Sequence, residues 1–238
     1  MRSELKSYQP PDATEPFALV NSRLLRVSLS DHTIMAKLGS MVLYRGAVRF
    51  ERARAGARRL LKGAATSETT RLMTVTGAGE AFLADRAQNI HLVYLEGERL
   101  TCNSPNVLAF DSAIAWDIRK VTGGLASILA GGFFNTSLEG TGWVALLSEG
   151  PPIMVDVTTA PTVCDPKAAI AWSSGVQTSV KLDFQLKTLI GLGSGETVQL
   201  AVGGIGWLLV QPSEGPGKSS GGGGGGGVGD MAFDAAGA

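Results

Sequence analysis

The sequence predicts an all-β chain made of three sequence repeats, with few short helices. A Gly-x-Gly pair occurs three times, 63 and then 64 residues apart, at Gly77/Gly79, Gly140/Gly142 and Gly204/Gly206. The residues before each pair alternate between apolar and small or polar types, which is typical of a half-buried strand. Helical periodicity is scarce, and glycines flank its two best candidates, near residues 53–63 and 123–132.

The last two copies of the repeated phrase are the longest. GTGWVALLSEGPP begins at Gly140 and returns as GIGWLLVQPSEGP from Gly204, whereas GAGEAFLA from Gly77 is the weakest copy. Glycines at the end of an alternating strand suit a bend or a close approach of two backbones. Ser-Glu-Gly-Pro suits a turn between strands. We therefore interpret the phrase as strand and turn, and not as an active-site motif.

A second phrase also recurs, since LTCNSPNVLAF from Leu100 matches TVCDPKAAIAW from Thr162. Both copies carry residues that favour turns, namely Asn103 and Pro105 in the first and Asp165 and Pro166 in the second. The matching cysteines, Cys102 and Cys164, fit neither a zinc-ligand spacing nor a Cys-x-x-Cys redox motif. We expect two small core residues with reduced thiols and no disulfide between them.

The segments between the phrases are strand-like. AIAWDI, PIMVDVTT, SVKLDFQL and TVQLAV show alternation with β-branched or aromatic residues. GLGSGE at 191–196 looks like part of a dinucleotide fingerprint, but a phosphate loop needs a helix after it and TVQLAV is strand-like. We predict a hairpin loop there.

Three regions organise the chain. Residues 1–16 form an N-terminal arm, residues 17–216 form one triplicated β domain with a period of about 63 residues, and residues 217–238 form a tail. The tail contains seven consecutive glycines, Gly221–Gly227, which predict a flexible linker because glycine backbone entropy is hard to recover by packing.

Composition favours a soluble globular protein of the cytoplasm. Hydrophobic residues make up 44% of the chain, and 21 basic residues balance 21 acidic ones, so no whole-molecule field attracts nucleic acid or an anionic membrane. The N-terminus lacks the apolar region of a secretory signal. The longest apolar run, LASILAGGFF at 125–134, is about half a membrane span. We favour its burial at a subunit interface over an exposed patch that touches a membrane.

No group of residues predicts an enzyme, a metal site or a cofactor. The two histidines, His32 and His91, have no carboxylate at ligand spacing, and we expect His91 to be a hydrogen-bonded histidine of a sheet. Neither Ser148 nor Ser213 lies in a Gly-x-Ser-x-Gly elbow.

One basic segment stands out in this neutral chain. Between positions 45 and 62 the sequence contains seven basic residues and only one acidic residue, Glu51. The basic residues are Arg45, Arg49, Arg52, Arg54, Arg58, Arg59 and Lys62. We favour a solvated insertion whose charge keeps a sheet edge from pairing with other chains. The alternative is a binding site for an anionic ligand, either RNA or a lipid head group.

Several blocks in the same order resemble the AIM24 family in its bacterial form, among them GEAFLADRAQNIHLVYLEGERLTCNSPNVLAFDSAIAWDI, AGGFFNTSLEGTGWVALLSEG and AAIAWSSGVQTSVK. The resemblance runs from Phe17 to Pro216. It implies units of β-sandwich or double-stranded β-helix type, similar in fold to the tryptophan RNA-binding attenuation protein, and assembly as a homo-oligomer, with a trimer favoured. It implies no catalytic residues, so we expect a structural or interaction scaffold with a protein partner; nucleic acid or a membrane surface is the weaker expectation.

Overall fold

The structure is a computed structural model that describes residues 4, 8, 10, 12, 14–30, 32–53, 72–120, 134–182 and 198–213. These residues form fifteen strands: β1 (Phe17–Asn21), β2 (Leu24–Ser28), β3 (Ile34–Lys37), β4 (Met41–Arg52), β5 (Leu72–Leu83), β6 (Asn89–Asn103), β7 (Val107–Asp111), β8 (Ala115–Lys120), β9 (Phe134–Ser148), β10 (Ile153–Asp156), β11 (Thr162–Cys164), β12 (Ala169–Ser173), β13 (Val176–Leu182), β14 (Val198–Gly204) and β15 (Trp207–Val210). A three-residue 3-10 helix, Ser104–Asn106, joins β6 to β7.

The strands form two antiparallel sheets. Twelve strands make the larger sheet in the order β1-β2-β5-β3-β7-β9-β6-β12-β15-β10, with β4 beside β5 and β8 beside β9. The smaller sheet has the order β11-β14-β13. The all-β fold class is thus confirmed, and the segments AIAWDI, PIMVDVTT, SVKLDFQL and TVQLAV overlap β8, β10, β13 and β14. The second half of SVKLDFQL, residues 183–186, lies outside the described residues.

Two long strands change neighbours along their length. The start of β5 pairs with β3 and its end pairs with β2, while β4 follows its other edge throughout. In the same way, the start of β9 pairs with β8 and its end pairs with β7, while β6 follows its other edge. In the last part of the chain, β14 pairs with β11 and β13, and β15 pairs with β10 and β12.

The glycine pairs lie where these changes occur. All six glycines have φ between +107° and +150°, a region that residues with a Cβ rarely adopt. The sequence placed them at strand ends, yet β5 and β9 continue through their glycines, and only Gly204 ends a strand. At the first pair the predicted bend is present: β4 lies beside Gly77 and Gly79, and the rings of its Tyr44 and Phe50 lie 5.5 Å apart, whereas six residues of straight strand span about 20 Å.

Three strands share one irregularity of pairing. The register shifts between Met41 and Leu43 against β5, between Val107 and Ala109 against β9, and between Ala169 and Ala171 against β15. Each shift is a β-bulge, with one extra residue between the first and third residues of the segment.

The buried residues form three clusters. The first combines β3 and β5 with residues of β7 such as Leu108, and the second combines β6 and β9 with residues of β12 such as Ile170. The third contains residues from Val157 to Leu208 alone, with Cys164, Val198 and Val210 packed against it. The first two clusters therefore join successive parts of the chain.

Some predictions fall on residues that the structure does not describe. The candidate helices near 53–63 and 123–132, the GLGSGE loop and the glycine-rich tail lie almost wholly outside the described residues. The three-region organisation and the threefold repeat stay predictions. Cys102 and Cys164 are both free thiols; Cys102 is a buried core residue as expected, whereas Cys164 is only half-buried.

Candidate functional site

The first half of β4 exposes a run of apolar side chains. The exposed fractions are 41% for Met41, 60% for Val42, 51% for Leu43 and 47% for Tyr44. A strand of an antiparallel sheet normally buries one of its two faces, but here successive residues are exposed on both. Monomeric soluble proteins rarely expose contiguous apolar surface of this kind.

Among the described strands, one hydrogen-bonding edge of β4 has no partner, since β4 pairs with β5 alone. An edge strand presents unpaired N–H and C=O groups, which are a template for pairing with another chain. The segment Met41–Arg45 therefore combines apolar side chains with an open backbone edge.

The predicted basic segment lies partly on this strand. Arg45, Arg49 and Arg52 belong to β4 and are exposed, so this part is regular strand and not an insertion between strands. Successive side chains of this segment therefore point to opposite faces of the sheet, as in any β-strand. The other four predicted residues, Arg54, Arg58, Arg59 and Lys62, lie outside the described residues.

An acidic neighbour pairs with Arg45. Its Nε donates to Glu80 Oε2 at 2.8 Å, and its terminal nitrogen also contacts that oxygen. Glu80 is shared, since Arg26 Nε lies 3.0 Å from its other oxygen. Glu80 stands 35 residues from Arg45 in the chain, so the basic count along the sequence could not include it.

Arg49 and Arg52 point to opposite faces of β4. Val48 and Phe50 pack against the first core cluster, which places Arg52 on the side of the core and Arg49 on the outer side. Neither has an ion pair within the described part of the chain. The structure thus does not bring the three described arginines together on one surface.

The repeated Gly-x-Gly-Trp phrase has a structural explanation. Trp143 N–H donates to Asp111 Oδ2 at 2.5 Å, and Trp207 N–H donates to Ser173 Oγ at 3.1 Å. A Cβ on the preceding glycine would lie 2.6 Å from the Asp111 oxygen at Gly142. The second glycine therefore makes room for the side chain that accepts the hydrogen bond from the tryptophan backbone.

Asp111 also holds the first histidine. His32 Nε2 contacts Asp111 Oδ1, and the two side chains are 30% and 9% exposed. Sequence spacing could not reveal this carboxylate partner of His32, because Asp111 is 79 residues away along the chain.

The second histidine is hydrogen-bonded to a buried serine. His91 Nε2 lies 2.8 Å from Ser148 Oγ, and Ser148 Oγ donates to the Gly150 carbonyl at 2.6 Å, so His91 donates to the serine. Ser148 is fully buried. Burial lowers the pKa of His91. The predicted hydrogen-bonded histidine of a sheet is confirmed.

The two Ser-Glu-Gly phrases meet. Glu149 N–H donates to Gln211 Oε1 at 2.9 Å, and Ser213 Oγ donates to the Glu149 carboxylate. Gly150 has φ +84° in the turn that follows β9. The predicted turn is confirmed at this copy, whereas residues 214–216 of the other lie outside the described range.

The thiols and other metal-binding groups offer no site in the described ranges. Burial raises the pKa of Cys102 far above its ordinary value, and burial together with Asp165 raises the pKa of Cys164 to about 11. The thiolate, which is the reactive and metal-binding form, is therefore disfavoured at both. Within residues that the structure describes, no three His, Cys, Asp or Glu residues gather as metal ligands.

The described part of the chain contains no helix that is long and apolar enough to cross a membrane.

Comparison with known proteins agrees with this fold. A crystal structure of a Streptococcus pyogenes protein superposes with a TM-score of 0.65 at 19% identity, over 82% of this chain and 91% of that one; at this identity the likeness establishes the fold alone. No protein matches in a comparison with curated sequences. The family model described as "Mitochondrial biogenesis AIM24" matches residues 17–213. Since this match covers most of the sequence, the chain belongs to the AIM24 family.

Proposed function

We propose that the protein is a non-enzymatic scaffold of the cytoplasm that assembles into a homo-oligomer, with a trimer favoured, and presents its loops and tail to a protein partner. The observation that carries the proposal is the exposed apolar segment at the start of β4 with its open edge. Such an edge favours association, because pairing satisfies backbone groups and buries apolar side chains at the same time.

The state of assembly is the direct test. Light scattering coupled to size-exclusion chromatography, over a hundredfold range of concentration, should give about three times the chain mass of 24.7 kDa. A mass of one chain at every concentration would contradict the proposed assembly.

The role as a scaffold needs a partner. A pull-down with the full chain should recover a protein partner with a stoichiometry fixed by the oligomer, and a chain that ends at Pro216, which lacks the tail, should recover less of it. Turnover of a small molecule by the purified protein, lost on substitution of one residue, would instead favour an enzyme.

A second candidate function, binding of an anionic ligand, is supported by Arg49 and Arg52, which are exposed on opposite faces of β4 and have no ion pair among the described residues. Liposomes with anionic lipids and a single-stranded RNA should then bind with an affinity that falls steeply with salt. Arg49→Gln with Arg52→Gln should weaken that binding, while Arg99→Gln, which removes an exposed arginine paired with Glu139, serves as the control. Binding that is insensitive to salt or to the double variant would remove this function.

A further inference from the structure

We propose that Met41–Arg45 of one copy pairs with β11, Thr162–Cys164, of a second copy. The inference deepens the proposed function and rests on it, because it names the partner strand and the register of the assembly. It is carried by three segments that share their local structure but differ in burial.

The three segments are Met41–Arg45, β7 and β12. Each pairs with the second half of a long strand or its continuation, and each has its β-bulge between its first and third residues. Their sequences, MVLYR, VLAFD and AIAWS, each place an aromatic residue fourth. The agreement of bulge, partner and sequence identifies them as corresponding strands.

Burial separates the first of these segments from the other two. All five residues of β7 and four of five in β12 are buried. Residues 41–45 are all exposed. At the bulge itself, Leu108 and Ile170 are fully buried while Val42 is 60% exposed.

The difference follows from a missing neighbour. The second edge of β7 pairs with β3, and the second edge of β12 pairs with the end of β6. Within the described strands, nothing pairs with the second edge of β4.

The missing neighbour is β11, because it occupies the place that β3 and the end of β6 occupy. β3 pairs with the start of β5, the end of β6 pairs with the start of β9, and β11 pairs with β14. The other edge of β11 is open among the described strands, and Val163 at its centre is 52% exposed. Each chain thus contains both edges of the proposed contact, one on β4 and one on β11, and neither edge is paired among the described strands.

The known pairs fix the register. Met35 lies opposite Phe110, and Thr101 lies opposite Trp172. The same alignment places Val163 opposite Tyr44. One residue further, Ala36 faces Ala109 and Cys102 faces Ala171, which places Cys164 opposite Leu43.

The core supports the same pairing. The first two clusters each include the bulge residue of a later strand, Leu108 or Ile170. The third cluster contains no such residue from elsewhere in the described chain. Val42 of the second copy fills that place.

The contact is heterologous, because it joins two different surfaces of identical chains. A heterologous contact forms a ring when its rotation closes and a filament when it does not. A ring of three copies would leave no open β4 or β11 edge, which agrees with the trimer favoured above.

A disulfide between two chains tests the register. Residues that face each other across an antiparallel pair have Cα atoms about 4.5–5.5 Å apart, within the range that a disulfide bridges. One tagged chain carries Leu43→Cys with Cys164→Ala, and a second chain, with another tag, keeps its native Cys164. The two are co-expressed, purified through both tags and oxidised with diamide at pH 8.5, which links the two thiols as the diamide is reduced.

We expect a disulfide between position 43 of one chain and Cys164 of the other, identified by peptide mass spectrometry. The matched control places Met154→Cys, at a residue 69% exposed on β10, in the same Cys164→Ala chain. Linkage no faster than in this control would overturn the register. A single chain with Leu43→Cys that links to its own Cys164 would show that the occupant is the same chain, and would overturn the second copy.

The mass of charged variants tests the surface independently. Val42→Lys and Val163→Lys should each convert the oligomer to single chains, whereas Ile205→Lys, at a residue 76% exposed outside the contact, should leave it intact. Circular dichroism confirms that each variant is folded. An oligomer that survives both substitutions would overturn this inference and leave the proposed assembly standing through another surface, whereas a wild-type monomer would overturn both.

Discussion

The start of β4 and strand β7 have the same local structure and opposite surroundings. Both follow the second half of a long strand, and both contain a β-bulge after their first residue. β7 is buried throughout and Met41–Arg45 is exposed throughout. The comparison shows that the local sequence sets the strand and its bulge, whereas a strand from elsewhere decides whether it is covered.

Substitutions at the bulge residues Leu108 and Val42 should give the largest difference in the free energy of unfolding. Leu108→Ala should lower the free energy of unfolding by about 2–5 kcal/mol, because it opens a cavity in the first core cluster. Val42→Ala, at the corresponding exposed site, should change the stability of the single chain by less than about 0.5 kcal/mol. Urea unfolding of both variants in a Val163→Lys background, which removes the proposed contact between copies, measures the difference.

Equal losses from the two alanine variants would show that Val42 is buried within its own chain. Ile170→Ala serves as the control, since Ile170 is also fully buried, and it should behave like Leu108→Ala.

Alanine substitutions at the second glycine of two pairs compare a neighbouring backbone with a neighbouring side chain at the bend. A Cβ at Gly79 would meet the Arg45 backbone oxygen at 2.0 Å, and one at Gly142 would meet the Asp111 side chain at 2.6 Å. Both conformations cost about 1–3 kcal/mol for alanine. Gly79→Ala should lose more stability than Gly142→Ala, because a paired backbone yields less than a side chain.

Gly140→Ala is the matched control for this pair of substitutions. It has a similar φ of +133°, and its nearest atom would be 3.7 Å away. Thermal unfolding should rank the three variants Gly79, Gly142 and Gly140 from largest loss to smallest. A larger loss at Gly140 than at Gly79 would contradict the role given to the close approach.

Much of this structure could be predicted from the sequence, because its signals are local. Alternating apolar residues predicted β8, β10, β13 and β14, and the glycine pairs predicted bends. The spacing also placed Cys102 and Cys164 in matching positions before turns.

Features that depend on distant residues could not be predicted. MVLYR and VLAFD are both apolar at their first four positions, but β7 has a described strand on each edge whereas β4 has one on a single edge, and only MVLYR is exposed. Arg45 counted as part of a basic site because Glu80 lies 35 residues away in sequence and 2.8 Å away in space. The Trp143–Asp111 hydrogen bond joins residues 32 apart, so no local pattern indicates it.

The fifth residues of β7 and of Met41–Arg45, which are Asp111 and Arg45, should give a smaller difference in stability. Asp111→Ala should lower stability by about 1–3 kcal/mol, because the Trp143 N–H loses its acceptor in a part-buried site. Arg45→Ala removes an exposed ion pair and should cost about 0–1 kcal/mol. Denaturant unfolding of both variants measures the contrast, and a greater loss at Arg45 would contradict it. Asp111→Asn, which keeps an oxygen acceptor, should recover most of the loss.

The smallest predicted effect is a dependence of the free energy of unfolding on pH, which arises from His91 of β6 and has no counterpart at Leu25 of β2. His91 of β6 pairs with Leu146 of β9, and in the matching position Leu25 of β2 pairs with Leu83 of β5. Burial lowers the pKa of His91 in the folded chain, so below the ordinary value of about 6.5 the unfolded chain binds more protons than the folded one. The contribution of His91 to stability is therefore complete above pH 6.5 and is lost as the pH falls towards the folded pKa. Urea unfolding at pH 5.0 and 7.5 should show a smaller loss of stability in His91→Gln than in the wild type, whereas an equal loss in both would assign the acid sensitivity to other groups.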